Sequence, residues 1–332
     1  MRRTQVLLKC LKGLLLNEDH FDIVASADAS WICRRLAWHK LLPLAAALND
    51  SGKPKCATIE QIFKTTTLEN LAKEEFYRLQ VARIFNAFDK ASIEYMPFKG
   101  PFWGNQLYAE YYWRHIGDID ILFSKDEART AGSILLKMGY IPHTLDGSIE
   151  RDFETRGELA FFPDSRHPNE VPIELHWDLM PSPRFLKKKY LFNEDFNQDV
   201  TRSQWKGFEY DLPRPEVQFL YYILHATCQH QFMRFVHITN LVHFVQKFPR
   251  LNWQRIFKLA ESRRALTPLY YGLKFVDTYF PLPEHVSVLQ KRSKPSLPTQ
   301  MVASFMPPGK ILSATYRRGK MRRKLFRAAM SW

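Results

Sequence analysis

No run of this sequence approaches the roughly 18 consecutive apolar residues that a membrane-crossing helix requires. Cysteine is scarce. The four present (Cys10, Cys33, Cys56 and Cys228) are scattered and form no CxxC pair, so neither a zinc site nor a disulfide framework is indicated. A reducing, cytoplasmic setting is the expectation. The features of a secretion leader are also missing. Lys9 and Lys12 interrupt the apolar stretch ending in Leu14-Leu15-Leu16, and no small-residue cleavage site follows. That segment reads as an ordinary amphipathic helix.

Acidic residues are absent after Glu284, while the same stretch holds eleven Lys or Arg. With a net charge of +14 for the whole chain, only +3 is left for residues 1–284. The body is therefore near neutral and the basicity belongs to a tail. Overall basicity gives no argument for a nucleic-acid-binding fold. It singles out the tail as the candidate surface for a polyanion, since seven of the twelve residues from Tyr316 to Arg327 are basic.

What is present is enough to build a large core: 332 residues, 45% of them hydrophobic. Residues 1–90 read as a helical region. Tyr77, Val81, Ile84 and Phe88 share one helix face, and Thr66-Thr67 before Glu69 predicts the helix start. Ser51-Gly52-Lys53-Pro54 reads as a turn. Residues 91–212 change character. Tyr95 to Phe98 reads as a short strand that runs into Lys99-Gly100 and a short helix. Asp118 to Phe123 reads as a second strand, Lys125 to Met138 as a helix closed by Gly139, and Val171 to Trp177 as a further strand. This order predicts an α+β fold, a small mixed β-sheet core flanked by N-terminal and C-terminal helical regions. Residues 213–285 read as the second helical region. Residues 286–332 read as a proline-containing basic tail, extended until a short helix near Arg317.

The chemistry is concentrated in the central region. Side chains two apart on a strand point the same way, so Asp118 and Asp120 project together, and Glu174 and His176 share a face of their own strand. Two carboxylates on one face repel unless a cation lies between them, and hard oxygen ligands of this kind suit Mg²⁺. Neutralising either Asp is then expected to hold or raise the stability of the metal-free protein. Glu174 is the candidate third carboxylate. Lys99-Gly100 closes a strand and opens a helix, a turn that lets backbone N–H groups approach a phosphate. Arg114 has two readings, a triphosphate contact or a surface salt bridge. Trp103, Tyr108, Tyr111, Tyr112 and Trp113 read first as core and rim packing, and second as a stacking surface for a nucleobase. Among His225, His230, His237 and His243, only His230 and His237 share a helix face well.

Phe98-Lys99-Gly100, Leu107-Tyr108, Arg114, Gly117-Asp118-Ile119-Asp120-Ile121-Leu122, Gly139-Tyr140 and Glu174-Leu175-His176-Trp177 occur in this order. Together they resemble the bacterial uncharacterised nucleotidyltransferase family of the polymerase-beta-like nucleotidyltransferase superfamily. The likeness continues more weakly through Leu224-His225-Ala226, His230, Arg234 and Trp253. Asn240 stands where members often carry Asp, and Lys99-Gly100 stands where many superfamily members have a Gly-Ser turn.

The resemblance implies Mg²⁺-dependent (or Mn²⁺-dependent) transfer of a nucleoside monophosphate from an NTP, ATP foremost, to an acceptor. Asp118, Asp120 and Glu174 would be the metal-binding and catalytic carboxylates. Lys99, Gly100 and Arg114 would meet the phosphates, and His176, Tyr108 and His230 would contact the acceptor or support the site. It also implies a tailoring role on a natural product, a modified peptide or a polysaccharide precursor. The alternatives are a toxin-like transferase modifying tRNA or protein, and a binding protein with a retired site.

Overall fold

The computed structural model describes residues 2–49, 52–165, 167–178, 200–304, 306–307 and 320–330. Its architecture is α+β: a five-stranded mixed sheet, a two-stranded sheet and many helices. The chain gathers into two compact units. One holds the described residues up to Thr67 and those from Pro215 onward. The other holds the described residues of 68–182 and 191–214.

The second unit carries the five-stranded sheet. Its strands are β1 (Met96–Phe98), β2 (Ile119–Leu122), β3 (Ile141–Pro142), β4 (Glu158–Phe162) and β5 (Ile173–His176), in the spatial order β1-β2-β5-β4-β3. β2 and β5 run parallel, and the other neighbours are antiparallel. Strand parity sorts the side chains. Ile119, Ile121, Leu159, Phe161, Ile173 and Leu175 share one face and are fully buried. The helix Lys125–Lys137 packs near this face at Gly132, where an added Cβ would lie 3.2 Å from Phe161 and 3.3 Å from Phe153. This helix opens with a capping box, Ser124 and Glu127 bonding each other's backbone N–H.

The segment entering β5 is pinned in place. Buried Gln80 donates to Val171 O at 2.8 Å and accepts from Val171 N at 3.0 Å. Arg83 forks onto both oxygens of Glu170, at 2.6 and 2.8 Å. These bonds fix which residues of β5 meet β2, and a slip of one residue would turn Glu174 to the wrong face. The two-stranded sheet is a hairpin, Thr201–Trp205 with Phe208–Leu212. Lys206 and Gly207 both have positive φ, 47° and 91°, the turn whose twist suits a two-residue hairpin loop.

The long helix Ala57–Lys90 buries Tyr77, Val81, Ile84 and Phe88, as their spacing predicts. It does not start at Thr66-Thr67. It begins nine residues earlier, because Ile59 and Phe63 continue the buried face and nothing breaks the backbone between them and Glu69. Ser51 lies outside the described residues.

In the first unit, N-terminal and C-terminal helices share one core. His243 is buried in the helix Val236–Lys247, and burial pushes its pKa down. The neutral ring then donates Nε2–H to Leu14 O at 2.9 Å. Phe235 N donates to His39 Nδ1 at 3.0 Å. The helices Pro215–Leu224 and Leu266–Asp277 pack closely at Gly272, where a Cβ would fall 2.3 Å from Ile223 Cγ1 and 2.8 Å from Thr227 Oγ1. Gly272→Ala is therefore expected to destabilise the protein by about 1–3 kcal/mol. A urea midpoint equal to that of the wild type would show that the two helices are not packed this way.

The expectation of an extended tail is corrected. Glu284–Arg292 and Leu297–Ala303 are helices, and Pro298 stands in the first turn of the second, where a missing N–H costs nothing. Arg317 lies outside the described residues. The basic helix Lys320–Met330 is not simply solvated. It buries Phe326, Ala329 and Met330, with the Phe326 ring 5.9 Å from Tyr271 and 6.1 Å from Phe275.

Candidate active site

The polar side chains gather on the other face of the five-stranded sheet. Asp120 on β2 is the register partner of Glu174 on β5, and on the far side it pairs with Phe98 of β1. Glu158 of β4 is the register partner of His176. Parity therefore puts Asp120, Glu174, His176 and Glu158 on one face. Asp120 and His176 are almost wholly buried, at 2% and 1% exposure. Glu174 and Glu158 are half-open to solvent, at 31% and 35% of their side chains.

Asp120 Oδ1 is the hub. It accepts from Lys99 Nζ at 2.7 Å and lies 3.0 Å from His176 Nε2. The same Nε2 is 3.4 Å from Glu174 Oε2, and His176 Nδ1 is 3.4 Å from Glu158 Oε2. One oxygen each from Asp120 and Glu174 and one ring nitrogen of His176 lie within 4.8 Å of one another. The donor set fits a divalent cation: two acidic side chains and an imidazole converge in a buried place. Asp118 precedes β2 and is exposed. Its charge acts on Glu174, but it is not one of the three residues whose ligand atoms converge, and His176 stands in the set where the sequence placed Asp118.

Two opposing influences set the protonation of this group. Burial works against a charged His176, as does the neighbouring Lys99 ammonium. Asp120, Glu174 and Glu158 outweigh both and lift the imidazole to about 9. For Glu174, burial works to raise the pKa, but His176 and Lys99 hold it below the usual carboxylate value. The site thus carries compensated charge, which a buried acid such as Asp120 requires.

Lys99 and Gly100 sit where β1 passes into the helix Gly100–Leu107. Both have positive φ, 57° and 46°. The left-handed conformation is ordinary for glycine, but in lysine it stores about 1–3 kcal/mol, the kind of strain that collects at functional sites. The turn offers backbone N–H groups at a helix start beside a lysine. Lys99 Nζ also lies 4.9 Å from the centre of the Phe98 ring. Arg114 donates to Gly100 O at 2.7 Å, so its guanidinium braces this turn. Asn70 in turn holds the Arg114 segment, donating to Tyr112 O at 2.9 Å and Arg114 O at 3.2 Å.

The other candidates have other surroundings. Tyr108 and Trp103 are buried in the core, which favours packing over base stacking. The side chain of Tyr111 lies outside the described ones. His230 belongs to the other unit, where its ring lies 4.5 Å from those of His225 and His237. Glu158 is a site residue that the sequence reading did not single out. The alternation of Glu158-Leu159-Ala160-Phe161 is a strand signal, but it is too short to show which strand it joins.

The chain belongs to the uncharacterised nucleotidyltransferase family, whose model matches residues 25–281. No curated protein and no solved structure matches it. The match takes in the whole five-stranded sheet and the helices from Ser26–Trp38 to Leu266–Asp277. No described helix is long and apolar enough to cross a membrane.

Proposed function

We propose that this site transfers a nucleoside monophosphate from an NTP to an acceptor hydroxyl, with Asp118, Asp120 and Glu174 as its working carboxylates. The observation that supports this most is the register of β2 and β5. It sets Asp120 beside Glu174 across a parallel pair, with Lys99 and the helix start at Gly100 adjoining.

Asp118 and Asp120 would hold a divalent cation. Such a cation, Mg²⁺ or Mn²⁺, would supply charge neutralisation on the phosphates. Glu174, open to solvent and held ionised, takes the proton of the acceptor hydroxyl. The acceptor oxygen bonds to the α-phosphorus, the α–β phosphoanhydride breaks, and pyrophosphate leaves. Lys99 and the N–H groups around Gly100 receive negative charge on the phosphates, while Arg114 keeps their turn in shape. His176 contacts Asp120 at 3.0 Å and holds it in place.

ATP is the expected donor. A natural product, a modified peptide or a polysaccharide precursor is the expected class of acceptor. The basic tail does not favour a second reading, since its described helix turns Phe326 inward and its half-buried Arg327 donates to Gln229 O at 3.4 Å.

The test is binding of α,β-methylene analogues of the four NTPs by calorimetry, with and without Mg²⁺ or Mn²⁺. Binding should need the metal, and the four analogues rank the bases. Lys99→Met should weaken binding by about 10-fold or more, on the order of 1.4 kcal/mol for a charge-assisted phosphate contact. Absence of binding under all conditions would end the nucleotidyltransferase reading.

A further inference from the structure

The metal-binding residues read from the sequence are all carboxylates, yet the group that reaches deepest between them is an imidazole. His176 Nε2 lies 3.0 Å from Asp120 Oδ1 and 3.4 Å from Glu174 Oε2, facing both acids at once. The ring is 1% exposed. The edge or face of Phe98 meets it at 5.0 Å with the planes 80° apart. On its other side Nδ1 makes no well-formed hydrogen bond and lies 3.4 Å from Glu158 Oε2. Strand register aligns these groups, since Glu158 is paired with His176 and Asp120 with Glu174.

We propose that His176 is itself a metal ligand through Nε2, oriented by Glu158 at Nδ1, and that this makes the site selective for Mn²⁺ or a similar first-row divalent ion over Mg²⁺. The inference rests on the nucleotidyltransferase reading and specifies its metal. A carboxylate behind the second nitrogen of a ligating histidine is a recurrent arrangement. It fixes the ring's orientation and tautomer and strengthens the nitrogen as a donor. Here the open nitrogen is the one that faces two further donors, and all three ligand atoms lie within 4.8 Å. A cation in the same gap would take the place of the present contacts of Nε2 with the two acids.

The selectivity follows from ligand chemistry. Mg²⁺ demands near-ideal octahedral oxygen ligation and gives up water reluctantly. First-row transition ions accept imidazole together with carboxylate. Replacing one oxygen by a buried nitrogen therefore penalises Mg²⁺ and favours the transition ions. Glu158 touches no metal in this scheme and is a positioning residue.

The experiment uses the full chain with Mn²⁺ alone, read by pulsed EPR and by titration. The wild type should show nitrogen modulation from a directly bound imidazole, and His176→Gln should abolish it. His176→Gln should also weaken Mn²⁺ about 10–100-fold while changing Mg²⁺ affinity, measured by competition, less than about threefold. Glu158→Gln should keep the nitrogen modulation with Mn²⁺ affinity lowered about 10-fold. Should His176→Gln fail to fold, the wild-type spectrum and Glu158→Gln still decide the matter. Mn²⁺ bound without nitrogen coupling, or coupling that survives in His176→Gln, overturns this inference alone. Failure of the wild type to bind Mn²⁺ at all also overturns this inference, while the nucleotidyltransferase reading stands or falls on the nucleotide-analogue test.

Discussion

Asp120→Asn is expected to lower nucleotidyl transfer by about a thousandfold or more, corresponding to roughly 4 kcal/mol of lost charge stabilisation in the transition state. The same variant separates two ideas about the charge in this site. Repulsion between Asp118 and Asp120 alone would make the metal-free protein as stable as the wild type, or more so. The structure reverses that expectation for Asp120. Its carboxylate accepts from Lys99 at 2.7 Å and neighbours His176 at 3.0 Å, in a place only 2% exposed. Removing the charge leaves two buried cations facing each other, and breaking such a pair costs about 3–5 kcal/mol. Lys99 keeps some access to water, so the lower end applies. Asp118→Asn, at an exposed position, should cost the same activity but no metal-free stability. Urea unfolding of both variants without metal, and turnover with metal, make the check. Equal stability losses in the two, or full activity in either, would show that these carboxylates do not play separate roles.

The second large effect is a loss of stability with rising pH. A histidine in an unfolded chain titrates near 6.5. In the fold, His176 is opposed by burial and Lys99 but lifted by Asp120, Glu174 and Glu158, and it keeps its proton up to about 9. The folded state therefore binds this proton more tightly than the unfolded state. The resulting stabilisation is complete below pH 6.5 and is lost as pH rises through about 9. The difference of about 2.5 in pKa is worth about 3 kcal/mol. Other groups titrate toward pH 10, so the informative quantity is the difference between wild type and His176→Gln. In metal-free buffer, wild-type stability should fall by about 3 kcal/mol more than the variant's between pH 6 and pH 9.5. Parallel stability curves for the two proteins would show that His176 is not held as an imidazolium in the fold.

Much of the site can be read in the sequence because a strand's alternation is a local property. Asp118-Ile119-Asp120-Ile121 declares which side chains travel together, and so does Glu174-Leu175-His176. Lys99-Gly100 before Pro101 marks the strand-to-helix turn in the same local way, and the helix does open at Gly100. The start of the long helix is not legible in the sequence, because three consecutive threonines from Thr65 imitate a cap. Packing of Ile59 and Phe63 outweighs that local preference.

By itself the sequence determined the α+β class, the faces of the strands, and the set of acids and bases that belong to the central region. Which strands become neighbours is not a local property. Only the tertiary structure decided that β5 lies parallel to β2 with Glu174 level with Asp120. It also placed Glu158 level with His176, on a strand whose neighbour the sequence does not announce. The tail is a similar case, since its charge run is plain in the sequence while the burial of Phe326 is not. The physical reason is the same in each instance. Alternation and charge runs are written within a few residues. Register, burial and the proton on His176 depend on groups brought together from 99 to 176, whose desolvation and pairing exist only once the sheet has closed.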